Sequence, residues 1–282
     1  MRNLVSYRKV KDILPVQNAD NIELAIVDGW QCIVKKKEFK IGDVGIYFEI
    51  DSVLPHNDIR FNFLSARKWR VKTVKLRGVL SQGLLMPVSI LTQDEKNAID
   101  NGAILSDVLK VKIYEPPLPI GGKQVGLFPT HLCPKTDQER IQNIPYEINN
   151  KLFSDYEITE KLDGTSCTII FYNGDIKVCS RNFEMNQNDD NVYSKILKDN
   201  FLDTKLVKLN RNLAIQGEII GPKVRGNGYK LSQQEFYVFD IYDIDNKHYL
   251  KSPDRLLLVN QLNLKHVPTI EIFNQNLTLD IL

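Results

Sequence analysis

Four residue types that often carry chemistry are scarce in this chain: four His, four Cys, three Met and two Trp among 282 residues. Cys32, Cys133, Cys167 and Cys179 have no C-x-x-C spacing, which argues against a zinc ribbon or a disulfide scaffold. A reduced, intracellular, cytoplasmic protein is expected. His56, His131, His248 and His266 show no metal-ligand spacing, so neither a histidine zinc site nor a histidine-based triad is expected. No apolar run approaches the ~20 residues that a membrane helix needs. The first ten residues, MRNLVSYRKV, place charges where a signal peptide would need its apolar stretch, so no membrane partner is expected. Also absent are G-x-x-x-x-G-K-[ST], G-x-G-x-x-G after a strand, H-E-x-x-H and G-x-S-x-G. Internal repeats and low-complexity stretches are lacking as well.

What is present suits an ordinary folded protein with two cores: 43% of the residues are apolar and 26% charged. The net charge of +2 hides an asymmetry. Residues 1–125 carry 19 basic and 14 acidic side chains, net +5, while residues 126–282 carry 18 and 21, net −3. The contrast is sharpest from Arg60 to Arg77, where Arg60, Arg67, Lys68, Arg70, Lys72, Lys75 and Arg77 occur without one acid. Phe61, Phe63 and Trp69 lie among them. Basic groups with interleaved aromatics suit a surface that holds phosphates and stacks bases. The same stretch also reads as a basic strand pair with its aromatics turned into the core.

The first 90 residues predict β structure: Leu4–Val10, Ile22–Val27, Gln31–Lys35, Gly45–Ile50, Val71–Val79 and Leu84–Val88, separated by turn formers. Five or six short strands at this spacing predict an OB-like barrel over residues 1–113. The proline-rich stretch Tyr114-Glu115-Pro116-Pro117-Leu118-Pro119 predicts a linker over 114–125, because proline removes backbone donors. A second domain over 126–282 is expected to be α+β, with antiparallel sheets and flanking helices. In it, Thr136 to Glu139 predicts a capped helix start continuing through Asn143. Asp155–Lys161 and Ser166–Tyr172 predict strands, and Asn173-Gly174 a hairpin turn into Ile176–Arg181. Asp190–Lys198 predicts a helix, Leu213–Ile220 and Phe236–Tyr242 buried strands, and Ser252-Pro253 the start of a helix through Leu262.

The chemistry concentrates at Glu160-Lys161-Leu162-Asp163-Gly164-Thr165-Ser166. A lysine is a nucleophile only when neutral, which requires neighbouring cations or loss of solvent. Gly164 allows a sharp turn and close approach of a nucleotide, and Asp163 supplies a hard oxygen suited to hydrated Mg²⁺. Taken singly, the tetrad also reads as a surface lysine before a Leu-Asp-Gly turn. It is followed in order by Ser180-Arg181-Asn182, then Gln216-Gly217-Glu218-Ile219-Ile220, then Phe236-Tyr237-Val238-Phe239-Asp240. The order makes the set specific.

This pattern resembles the covalent nucleotidyltransferases: ATP-dependent DNA and RNA ligases and mRNA capping enzymes. With an OB-like domain placed first, it is most similar to the Deinococcus-type RNA ligases. The resemblance spans nearly the whole chain, including Asp28-Gly29-Trp30, Phe48-Glu49-Ile50-Asp51-Ser52, Lys75-Leu76-Arg77-Gly78, Ser81 to Leu85 and Pro134-Lys135-Thr136-Asp137 with Arg140, Gln142 and Asn143. It implies that Lys161 attacks the ATP α-phosphate and holds AMP, and that Glu160 lies beside adenine. Asp163 and Glu218 would place hydrated Mg²⁺ (or Mn²⁺) or the ribose, and Gly164 would admit the nucleotide. Arg181 would contact the ribose or a nucleic-acid phosphate, and Phe239, or else Phe236, would stack on adenine. Arg67, Lys68, Arg70 and Lys72 would hold RNA or a nicked RNA-containing duplex. Two further family motifs, an E-G-[VLI]-V strand and a K-x-K strand, have no match after Tyr242, so reduced activity of these 282 residues is expected. A nucleic-acid-binding protein with a relic nucleotide pocket, and a capping-type guanylyltransferase, are the other readings.

Overall fold

A computed structural model describes residues 3–115, 123–144 and 156–273. The chain divides into two units: Met1–Glu115 with Glu139–Tyr146, and Pro116–Gln138 with Glu147–Leu282. The stretch at Glu139–Tyr146, placed in the second domain on sequence, thus returns to the first unit. Most of the expected linker, residues 116–122, lies outside the described residues, and its end, Gln124–Leu127, is a strand paired with Phe183–Met185.

The first unit is built on one long strand, Val5–Pro15, whose two halves serve two neighbours. Val5–Lys9 pairs antiparallel with Val44–Phe48, and Val10–Pro15 pairs with Ile22–Val27 after a register shift at Val10/Asp12. Such a shift bends a strand and raises its twist, which turns a flat sheet toward a barrel. Trp30–Lys35 follows Ile22–Val27, and Leu84–Pro87 follows Val44–Phe48, giving five strands in one sheet. The segment just before Leu84 also meets Trp30–Lys35: Gln82 N–H donates to the Gln31 carbonyl (2.7 Å) and Ile33 N–H to the Ser81 hydroxyl (3.0 Å). Trp30, Tyr47, Phe48 and Phe61 fill the interior, each at most 2% exposed.

The basic stretch is not the single strand expected over Val71–Val79. Ile59–Arg67 forms a 3₁₀ helix, and Val74–Leu76 pairs with Val79–Ser81 around Arg77 and Gly78, both at positive φ (49° and 85°). That is the backbone a tight hairpin turn requires. The expected helix after Thr136 is likewise absent: apart from the 3₁₀ turn Ile141–Asn143, the segment through Ile144 is irregular. The would-be capping groups bond elsewhere, because the Asn143 side chain donates to the carboxylates of Glu139 (2.6 Å) and Glu49, and accepts from Trp30 Nε1 (3.1 Å).

The second unit centres on an eight-stranded sheet. Its middle strands are Asp175–Cys179, Thr165–Tyr172, Leu213–Ile220 and Glu235–Asp243, each antiparallel to the next. Asn173 and Gly174 adopt positive φ (51° and 89°), and the hairpin forms as expected. One face of the sheet (Cys167, Ile169, Phe171, Leu213, Ile215, Ile219, Phe236, Val238, Ile241) packs on Ile196, Leu202, Leu206, Leu258 and Val259. Those residues come from the helices Val192–Asp199, Leu202–Leu209 and Ser252–Gln261, the middle one unforeseen on sequence. All four cysteines are buried free thiols, and burial pushes Cys32 and Cys133 up to about 12. No helix among the described residues is long and apolar enough to cross a membrane.

Arg60, counted on sequence among the phosphate-binding cations, is spent inside the first unit. Its guanidinium is bidentate to Glu95 (2.7 Å each), donates to Asp58 (2.6 Å) and reaches the Ile90 carbonyl (2.9 Å). These bonds from Arg60 hold the carboxyls of Asp58 and Glu95 below the usual range. Arg60→Gln should therefore cost about 1.5–3 kcal/mol of stability at pH 7, the scale of hydrogen bonds to charged groups. Carboxyls depressed in the folded state stabilise it above their unfolded pKa, and that contribution is lost as pH falls. Thermal melts of both proteins should converge as pH drops below about 4; a gap that persists there would refute the account.

Candidate active site

Lys161 stands in a short loop between the strands Tyr156–Thr159 and Thr165–Tyr172. The loop is held from beneath and from both ends. Leu162 is buried with Ile220 and Val267. The Glu160 N–H donates to the Pro268 carbonyl (2.9 Å), the Asp163 N–H to the Tyr229 hydroxyl (2.8 Å), and the Gly164 N–H to Glu218 Oε1 (3.0 Å). Gly164 has no alternative residue: a Cβ there would lie 2.1 Å from the Ile219 carbonyl oxygen. The requirement is steric. With its neighbours fixed, Lys161 is exposed, and its side chain has no hydrogen-bond or ion-pair partner among the described residues.

Glu218 projects from the strand Leu213–Ile220, directly across from Ser166. It is half-buried, and burial raises its pKa, with Asp163 adding to the rise. The Gly164 N–H, Lys161 and Arg225 oppose that shift, so these groups all share one field. Lys161, Asp163, Gly164 and Glu218 are therefore brought together.

Phe239 and Phe236 are separated by the sheet. The pairing runs from Gln216↔Asp240 to Gly217↔Val238, leaving Phe239 as the extra residue of a bulge. It is half-buried on the Leu162 side, packed on the Leu162–Ile220–Val267 cluster. Phe236 is 4% exposed in the core on the other face, its ring lying where a Gly217 Cβ would come within 2.4 Å. Of the two, Phe239 alone packs on the cluster that holds Leu162.

Arg181 does not join the cluster directly; it is exposed and paired with Asp137. Asp137 belongs to a strap laid on the same sheet face as Glu218. Gln216 Nε2 donates to the Pro134 carbonyl (2.8 Å), the Thr136 and Ser166 hydroxyls bond (2.9 Å), and Gln138 Nε2 donates to Asp240 (3.0 Å). The strap and Tyr229 escaped the sequence reading, which placed Thr136 in a helix and had no reason to single out a tyrosine. In the first unit, Arg67, Lys68 and Lys72 are exposed, but Arg70 pairs with Asp51 (2.6 Å) and stacks on Tyr114 (3.5 Å). Residues 274–282, the end of the stretch after Tyr242 that lacks the two further motifs, lie outside the described residues.

The donor set suits a hydrated divalent cation rather than a caged one. Among the described residues no three His, Cys, Asp or Glu side chains gather as a metal site. Two carboxylates, Asp163 and the free oxygen of Glu218, flank the loop, and Mg²⁺ usually keeps several waters and binds through one or two carboxylates plus phosphates.

Comparison with known proteins places both halves of the chain. An OB-fold domain model matches residues 4–88, and an RNA ligase model matches residues 154–280. Naegleria gruberi RNA ligase with PPi matches at 40% identity and a TM-score of 0.76, over 100% of this chain and 87% of that one. The chain belongs to the RNA ligase family. A glutamate-to-alanine mutant of the Naegleria ligase with AMP and Mn gives 40% identity and a TM-score of 0.76, over 99% of this chain and 87% of that one. A lysine-to-alanine mutant with ATP and Mn gives 39% and 0.75 over the same shares, 99% and 87%. No curated protein matches the sequence. The architecture is that of the family: an OB-fold domain, then an α+β ligase domain.

The raised pKa of Glu218 makes a testable statement. A carboxyl raised in the folded state contributes stability below its unfolded value, about 4.3, and loses it as pH rises through the folded value. Glu218→Gln keeps the acceptor for Gly164 N–H but cannot ionise. Its melting temperature should equal or exceed that of the wild type at pH 7 and lose this advantage toward pH 4. A wild type that gains on the variant as pH rises would show the ionised carboxylate to be stabilising.

Proposed function

We propose that this protein is an ATP-dependent RNA ligase of the Deinococcus type, joining 3′-hydroxyl and 5′-phosphate ends through a lysyl-AMP intermediate. The observation that carries this reading is a lysine with a free side chain on a loop where Leu162 is buried and the N–H groups of Asp163 and Gly164 are bound by Tyr229 and Glu218. Fixing the loop while leaving the amine free positions a nucleophile without occupying it. The Lys161 amine attacks the α-phosphorus of ATP, an N–P bond forms, the bond to pyrophosphate breaks, and the amine loses a proton. A 5′-phosphate oxygen then takes the AMP and frees Lys161. Finally the 3′-hydroxyl attacks the 5′-phosphorus and AMP leaves.

In this reading Phe239 offers its free face to adenine and Glu160 lies at the base. Arg181 exchanges Asp137 for a ribose or phosphate oxygen. Asp163 and Glu218 hold hydrated Mg²⁺ or Mn²⁺, which supplies charge neutralisation on the phosphates. Arg67, Lys68 and Lys72 hold RNA phosphates on the OB-fold domain, whereas Arg70 supports that surface through Asp51 and Tyr114.

Incubation with α-labelled ATP and Mg²⁺ should attach label to the protein, and Lys161→Ala should abolish it while the protein stays folded. Label on the variant would refute the assignment of Lys161. A wild type that takes no label would support a binding protein with a relic pocket, and label from GTP alone a guanylyltransferase.

RNA binding should weaken steeply with salt. Replacing Arg67, Lys68 and Lys72 one at a time by alanine should flatten the log–log slope by about 0.7 to 0.9 per lost contact. Arg70→Ala should lower stability instead. An unchanged slope in all three variants would place the RNA elsewhere.

A further inference from the structure

The strands Leu213–Ile220 and Glu235–Asp243 are antiparallel neighbours, yet they are joined by the long connection Gly221–Gln234. Hairpin loops commonly need only about 2–5 residues. The extra length has a one-sided composition: Lys223, Arg225 and Lys230, with no Asp or Glu.

The connection is also firmly shaped. At Gly221 φ is +121°, and a Cβ would come 2.4 Å from the Gln233 carbonyl oxygen. Gln234 Nε2 donates to the Pro222 carbonyl (2.9 Å), and the Asn227 side chain brackets Leu231, accepting from its N–H (3.0 Å) and donating to its carbonyl (2.9 Å). Val224 is buried, and Leu231 packs on the Leu162 cluster. Lys223, Arg225, Asn227 and Lys230 all hold left-handed backbone, at φ 65°, 44°, 54° and 54°. Such conformations are unfavourable for side chains with a Cβ and persist where the surroundings impose them.

Two bonds tie this loop to the nucleophile's own turn: Tyr229 Oη accepts from Asp163 N–H (2.8 Å), and Arg225 Nε donates to the Gly164 carbonyl (3.2 Å). The side chains of Lys223 and Lys230, by contrast, are exposed and have no ion-pair or hydrogen-bond partner among the described residues. A rigid loop that spends one cation on the active turn and leaves two unpaired beside it is built to meet anions there.

We infer that Gly221–Gln234 is a phosphate-binding surface for the polynucleotide strand brought to Lys161, with Lys223 and Lys230 as its contacts and Arg225 and Tyr229 as positioning residues. The inference rests on the ligase reading. Exposed cations spread along a loop suit an extended polyanion, whereas the compact tail of a single nucleotide would call for converging donors in a closed pocket.

The test uses the whole chain with Lys223→Gln and Lys230→Gln combined, and with the paired Lys→Arg replacements. The probe is 5′-phosphorylated single-stranded RNA with a 3′ fluorophore, read by anisotropy across a salt series. The glutamine pair should lower affinity and flatten the slope by about 1.4, near 0.7 for each phosphate contact on a single strand. The arginine pair should restore it. An unchanged slope overturns the proposal. If in addition the ATP concentration for half-maximal protein labelling rises, the loop serves the phosphates of ATP and not those of the strand. Labelling of the wild type reports separately: its absence refutes the ligase reading, while the slope still decides the loop.

Discussion

The site depends on one close approach, that of the Gly164 backbone to the strand carrying Glu218. With no Cβ at Gly164, its N–H comes within 3.0 Å of the Glu218 carboxylate and its chain lies against the Ile219 carbonyl. Any side chain there would lift the loop and undo this bond. Because the bond uses only one carboxylate oxygen, it fixes Glu218 and leaves its other oxygen available. Burial meanwhile disfavours the charged form of Glu218, so the neighbouring cations Lys161 and Arg225 are part of what makes a carboxylate tenable there.

A second constraint works at a distance. Arg255 is 7% exposed and donates to Glu157, to His266 Nε2 (3.1 Å) and toward Asp240 (3.5 Å). It thereby joins the helix Ser252–Gln261, the strand leading to Lys161 and the bulge holding Phe239. Burial keeps the pKa of His266 low, so the neutral ring accepts from Arg255 while Nδ1 donates to the Val267 carbonyl (2.6 Å). A buried charge with this many partners is costly to strand, which makes the geometry all-or-none.

The two faces of the sheet show how one alternation serves two purposes. In Leu213–Ile220, the residues Leu213, Ile215 and Ile219 face the helices, while Gln216 bonds to the strap and Glu218 to the turn at Gly164. In Glu235–Asp243 the bulge at Phe239 shifts the alternation, so Val238 and Ile241 both reach the core although three residues apart. A regular strand would have sent one of them outward.

Period-two hydrophobicity and turn chemistry suffice for Ile22–Val27, Leu213–Ile220 and the Asn173-Gly174 hairpin, because each is decided by neighbours in the chain. The order Lys161, Arg181, Glu218, Phe239 is visible in the chain, but the fold sets Lys161 and Glu218 in one field while Arg181 pairs with Asp137. The charge pattern from Arg60 to Arg77 was legible as composition but not as use. Arg60 and Arg70 are consumed by Asp58, Glu95 and Asp51; Asp58 is two residues from Arg60, but Glu95 and Asp51 are distant partners that no local rule pairs with them. Thr136 and Glu139 look like a helix cap in sequence, yet Ser166 and Asn143, distant or on the far side of a turn, compete successfully for their side chains. Local patterning thus decides which groups exist and which face of a strand they occupy. Whether a given cation is free, and whether a polar side chain caps, straps or reacts, depends on donors and acceptors that only the folded chain brings within hydrogen-bonding reach.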